Sequence, residues 1–278
     1  MNTTVIIPVH EYNEDIKKLY RNALGSIVDQ KNIEEKPKVL VVYASALSNN
    51  EEDGFVNNEI HRTIDGLTIG YIKNEGKTDF QSQINLGAKS VDTDYFSILE
   101  LDDEYSTTHF KNVDEHIAAY PEVDMFMSII VEANDKRQRL KFTNETVWAK
   151  QFVGENGEMG YLNSKSLSQY TDFKTSGAVF KTEEFLNAGC FKSNVELTFQ
   201  YEFLLRMLNN GAVIYTIPRV GYMHLATREG SLFNKYSKTM TLVQRKFWFD
   251  TAKKEYSFLN DREIDLSLLD TTPVSPQE

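Results

Sequence analysis

The chain has 278 residues, 41% of them hydrophobic and 12% aromatic, which supports one large α/β domain, or a domain with a small appendage, and excludes a wholly disordered chain. Its formal net charge of −11 counts against a nucleic-acid partner, because surplus carboxylates repel a polyanion and keep a protein in solution. The one cysteine, Cys190, rules out an intrachain disulfide, no apolar run reaches the roughly 20 residues of a membrane span, and Met1 to Thr4 carry no basic leader region, so the expected location is the cytoplasm.

Thr4 to Val9 is a short apolar run rich in β-branched residues and reads as a buried strand. From Asn13 to about Gln30, Ile16, Leu19, Tyr20, Ala23, Leu24 and Ile27 recur at helical spacing. Val39 to Tyr43 and Leu67 to Ile72 read as the second and third strands. Thr78 with Gln81 three residues on has the capping-box pattern, opening a helix whose stripe is Phe80, Ile84 and Ala88. Tyr95 to Leu101 and Met125 to Val131 are the next strands, and helical spacing returns over Thr198 to Asn209 and from Asn234 to about Phe258. The stretch Gly154 to Gln169 has three glycines and no period, so it reads as a loop. Strands alternating with helices predict a mostly parallel sheet covered on both faces, with ligands at the carboxyl ends of the strands.

At one such end an apolar strand runs into Glu100-Leu101-Asp102-Asp103-Glu104. Strand alternation would put Glu100 and Asp102 on one side and Leu101 in the core. Two carboxylates so placed repel unless a cation sits between them, and hard oxygen ligands suit Mg2+ or Mn2+. Taken alone, the segment reads equally well as a solvated acidic turn capping the helix that begins near Thr107 or Thr108.

Four segments in order carry a resemblance. They are Ile6-Ile7-Pro8-Val9-His10-Glu11-Tyr12-Asn13, Asn74-Glu75-Gly76, Asn85-Leu86-Gly87-Ala88 and Leu99-Glu100-Leu101-Asp102-Asp103. Together they resemble the family 2 glycosyltransferases over about residues 3 to 228, the last segment matching the Asp-x-Asp motif. The resemblance implies a GT-A, Rossmann-like fold and an inverting transfer from a nucleoside-diphosphate sugar, most often UDP-linked, to a hydroxyl of a glycan or other acceptor. It makes Asp102 the direct ligand of Mn2+ or Mg2+, with Glu100 toward the ribose and the metal's water shell. The donor would be met by Pro8, His10, Glu11, Tyr43, Asn74, Gly76, Gln81, Asn85, Glu100 and Leu101. His224 fits a further metal ligand after the last strand, and Arg228 a diphosphate contact. Ser176 and Gly177 resemble the small-residue stretch beneath sugar and acceptor, and Trp148 is a candidate stacking platform for the acceptor.

Two positions depart from the pattern. The second strand ends Val41-Val42-Tyr43-Ala44-Ser45, with no carboxylate to read the nucleobase. In Phe199-Gln200-Tyr201-Glu202-Phe203-Leu204-Leu205-Arg206 the usual base position holds Gln200, leaving Glu202 as the nearest carboxylate. Glu202 is thus the candidate base, desolvated with a raised pKa, against an i,i+4 ion pair with Arg206; Glu196, Glu155 and Glu158 stand behind it. The expected organisation is a catalytic domain over 1–232, its nucleotide-sugar half about 1–104 and its acceptor half about 105–232. A C-terminal helix over 233–260 and a flexible tail over 261–278 complete the chain. The rival readings are a nucleotide-sugar-binding protein without turnover, a sugar nucleotidyltransferase, and a phage- or virus-type transferase acting on a nucleic-acid base. The second lacks its Gly-rich phosphate loop after the first strand, and the net charge opposes the third.

Overall fold

A computed structural model describes residues 2–48, 52, 54–60, 62–145, 160–163, 166–167, 170–195, 197–228 and 239–256. Strand β1 (Thr3–Val9) is buried along its whole length, as a central strand covered on both faces must be. Its side chains alternate between two apolar layers. Ile6 joins Val42, Ile84, Phe96 and Phe203, whereas Val5, Ile7 and Val9 join Ile16, Tyr20, Leu24 and Ile27. Those last four form the stripe of α1 (Glu14–Val28), whose first turn is capped by the Asn13 side chain accepting from the Ile16 amide.

Next come β2 (Lys38–Ala44), β3 (Ile69–Asn74), α2 (Phe80–Ser90) and β4 (Tyr95–Ile98). The cap of α2 is Asp79, not Thr78: its carboxylate accepts from the Ser82 amide and hydroxyl, both at 2.9 Å. Gln81, expected to complete a capping box, instead donates to the Val195 carbonyl at 2.8 Å.

The second half contains β5 (Glu104–Tyr105), α3 (His109–Ala119), β6 (Met125–Ala133), β7 (Arg139–Thr143), β8 (Val179–Lys181), α4 (Thr182–Asn187), α5 (Phe199–Asn209) and β9 (Ile214–Leu225). The sheet order is β3-β2-β1-β4-β8-β6-β9-β5, with β7 beside β6. The strands β3, β2, β1 and β4 are parallel, as is the β6–β9 pair. Strand β8 lies antiparallel between β4 and β6, so the sheet, expected to be mostly parallel, is parallel through β4 and mixed beyond it.

A final helix, α6 (Leu242–Glu255), begins with a capping box of Thr241 and Gln244 and packs on α5. It lies within the helix expected over 233–260, whose residues 233–238 and 257–260 lie outside the described residues. The expected tail 261–278 lies outside the described residues, as do most of the Gly154–Gln169 stretch and Trp148. Among the described residues no helix is long and apolar enough to cross a membrane.

Candidate functional site

The carboxyl ends of β1, β4 and β9 meet the turn at 175–177, and the charged side chains gather there. The ladder between β4 and β1 closes with the Leu99 amide donating to the Ile6 carbonyl at 3.0 Å. The chain then turns, the Asp103 amide donating to the Glu100 carbonyl at 3.1 Å, while Leu101 is buried in the core. Strand alternation therefore does not govern this segment. Glu100, Asp103 and His224 come together instead, each offering a ligand atom within 4.8 Å of the others. Asp102 turns aside to Arg228, whose Nε donates to Asp102 Oδ2 at 2.5 Å and whose Nη1 donates to Glu11 Oε1 at 2.8 Å.

Each member of the trio is held by named partners. Asp103 accepts from the Leu225 amide at 2.9 Å through Oδ1 and lies 2.9 Å from His224 Nδ1 through Oδ2. Glu100 Oε1 accepts from the Ser176 hydroxyl at 2.5 Å. Burial, and then the Asp103 charge beside it, pushes the Glu100 carboxyl up to about 7. Asp102 is also raised, by burial and by Asp103, against the pull of Arg228. For His224 burial works against its charge, yet the Asp103 carboxylate outweighs it and lifts the imidazole to about 9. Three crowded carboxylates with two of them raised form an environment that favours a further positive charge.

The remaining predicted residues divide by what their side chains do. Pro8 is buried in β1, and His10 lies 3.7 Å from Glu11 at the strand's end. Tyr43 packs on the chain's own Phe55, centroids 5.3 Å apart, and Phe55 in turn meets Tyr12 at 5.2 Å. Asn74 closes the turn after β3, accepting from the Gly76 amide at 2.9 Å and donating to the Lys77 carbonyl at 2.7 Å. Asn85 brackets Phe191, donating to its carbonyl at 2.7 Å and accepting from its amide at 2.9 Å. Gln81 and Asn85 thus brace α2 against the segment before α5. Ser176 reaches Glu100, and Gly177 adopts a φ of +69° directly against the Tyr222 ring, where a side chain would collide.

Glu202 differs from its expected setting. It is buried and accepts from Arg206 Nε and Nη2 at 3.0 and 2.9 Å and from the Tyr256 hydroxyl at 2.6 Å, with Lys192 Nζ 3.0 Å away. Burial alone would raise its carboxyl, but these donors outweigh it and hold the group below the usual carboxylate range. The raised pKa expected of a desolvated base is therefore corrected. Gln200, at the usual base position, accepts from the Thr175 amide at 2.8 Å and so borders the Ser176 turn. Glu196, Glu155 and Glu158 lie outside the described residues. Two members of the site were not assigned from sequence. Asp103 stands in the acidic run and could have been tested as a ligand, whereas nothing in the sequence near Tyr222 signals its contacts.

No family model matches the chain, and no curated protein sequence matches it. Solved structures do. Residues 1–349 of S. aureus TarS in complex with UDP-GlcNAc superimpose with a TM-score of 0.66 at 13% identity, covering 95% of this chain and 68% of that one. The same fragment with UDP gives 0.60 at 12% identity, covering 93% and 83%. The mannosyltransferase PcManGT from Pyrobaculum calidifontis, in complex with GDP-Man and Mn2+, gives 0.60 at 17% identity, covering 91% and 64%. With a parallel β3-β2-β1-β4 half, a mixed second half and an acidic turn after β4, the chain has the GT-A glycosyltransferase fold.

Proposed function

We propose that the chain transfers a sugar from a nucleoside-diphosphate donor to an acceptor hydroxyl, with a divalent cation at Glu100, Asp103 and His224. The observation that carries the reading is the convergence of these three side chains at the ends of β4 and β9. Two carboxylates and an imidazole fit Mn2+ well and Mg2+ less well, and leave coordination positions for phosphate oxygens and water. When bound, the cation would neutralise charge developing on the diphosphate leaving group. Arg228, which spans Asp102 and Glu11, would exchange a carboxylate for a diphosphate oxygen, a charge-assisted pairing that suits its planar fork. Ser176 and Gly177 would floor the sugar and acceptor. The UDP-GlcNAc and GDP-Man held by structural neighbours support a nucleotide sugar, and we favour a UDP-linked donor and the cytoplasm as its setting.

Inversion at the anomeric carbon needs a group to take the acceptor proton. Glu202 is the candidate from the sequence pattern, but its two ion pairs and its tyrosine bond favour a structural role. On that reading the base would come from Glu196, Glu155 or Glu158. Gln200 at the base position also favours a second reading, in which donor is bound and not turned over. Calorimetry with UDP and UDP-sugars separates these. Binding should require Mn2+ and weaken by about tenfold or more in Asp103→Asn and His224→Ala. Equal affinity in EDTA would overturn the metal site, and binding without product would support the second reading.

A further inference from the structure

We propose that Tyr222 is a positioning residue that joins the cation-binding turn after β4 to the Ser176–Gly177 turn; the proposal rests on the transferase reading above. Tyr222 lies on β9 two residues before His224, so both side chains leave the same face of the strand. It is 1% exposed, and its hydroxyl accepts from the Glu100 amide at 3.0 Å. Its ring covers Gly177, where an added Cβ would overlap ring carbons. Gly177 donates its amide to the Ile98 carbonyl at 3.0 Å, and Ser176 reaches back to the Glu100 carboxylate at 2.5 Å. The circuit closes: Tyr222 holds the Glu100 backbone, Glu100 holds Ser176, and the turn carrying Ser176 rests on the Tyr222 ring.

Tyr222 need not touch the cation to matter. Removing its hydroxyl leaves the Glu100 amide without its acceptor in a buried turn, so the backbone at 100 must shift to find another or remain unpaired. A shift moves the Glu100 carboxylate, and an unpaired amide removes the tie that fixes it. A ligand set tolerates little displacement, which is why supporting hydrogen bonds typically govern metal affinity by about 10–100-fold. The same movement loosens Ser176, so the cation turn and the floor of the sugar site are disturbed together.

The test compares Tyr222→Phe with Tyr105→Phe in the full chain. Tyr105 is also buried and packs on the Tyr222 ring, centroids 5.5 Å apart, but its hydroxyl bonds Ser97 at 2.8 Å and not the Glu100 amide. Tyr222→Phe should weaken Mn2+ binding, followed by electron paramagnetic resonance, by about tenfold or more. It should also speed hydrogen exchange at the Glu100 amide and raise the Mn2+ concentration for half-maximal activity more than it lowers kcat. Tyr105→Phe should lower Tm without moving the Mn2+ affinity. Gly177→Ala, which displaces the ring, should reproduce the Mn2+ loss and not add to it in the double variant. Parental Mn2+ affinity and parental Glu100 protection in Tyr222→Phe would overturn the proposal. A parent protein that binds no Mn2+ would sink the cation site instead, and exchange at Glu100 would still decide what Tyr222 does.

Discussion

Glu202→Gln separates a base from a structural carboxylate. The Glu202 side chain is 2% exposed and Arg206 10%, so solvent screens this pair weakly. Gln keeps the size and removes the charge, leaving the Arg206 guanidinium without its carboxylate although it still donates to the Ala188 and Cys190 carbonyls. Lys192, 32% exposed, turns to Glu255 and water and adds little. Breaking a buried pair costs about 3–5 kcal/mol; with Arg206 half-satisfied by carbonyls, the low end applies. About 3 kcal/mol corresponds to a fall in Tm of roughly 6–12 °C for a domain of this size. The pH dependence gives a second signature. The folded carboxyl lies below the usual 4.5, so its stabilisation is complete above that value and is lost as pH falls through the lower folded pKa. Thermal unfolding from pH 3 to 7 should show this acid-side loss in the parent and a shallower one in Glu202→Gln. An unchanged Tm with turnover reduced about 100-fold or more would refute the structural assignment and make Glu202 the proton acceptor.

Arg228→Ala should weaken UDP far more than uridine, because the guanidinium would serve the diphosphate; equal losses by calorimetry would place Arg228 away from it. His109 is buried and stacked 4.6 Å from Tyr105, and burial holds its imidazole down at about 3. The unfolded chain takes a proton below about 6.5 that the folded chain refuses, so stability should fall by about 1.4 kcal/mol per pH unit as pH drops through that window. His109→Gln should flatten the slope between pH 6.5 and 4 in denaturant titrations; a parental slope would show that His109 is protonated in the fold.

How much of this was legible beforehand differs from residue to residue. The β1 run and the α1 stripe follow from local periodicity, and the structure reproduces them within a residue or two. Periodicity also located the acidic turn after β4, because an apolar strand ending in carboxylates is a local pattern. It misassigned which acids converge: the alternation that pairs Glu100 with Asp102 holds only while the backbone stays extended, and the chain turns after Ile98. The Asn85 motif was visible, but not its purpose as a bracket on Phe191, 106 positions away.

The same division separates the two halves of the site. By itself the sequence determined the strands and helices of the first half and the acidic run, since each depends on neighbours within a few positions along the chain, and the GT-A expectation came from the resemblance of four segments in order. Only the tertiary structure decided that Asp103 meets His224 across 121 positions, that Arg228 spans Asp102 and Glu11, and that Glu202 is held by Lys192, Arg206 and Tyr256. Those contacts arise where β9 lies across the end of β4 and α6 lies on α5, and such placements are set by the packing of buried faces, which no local spacing encodes.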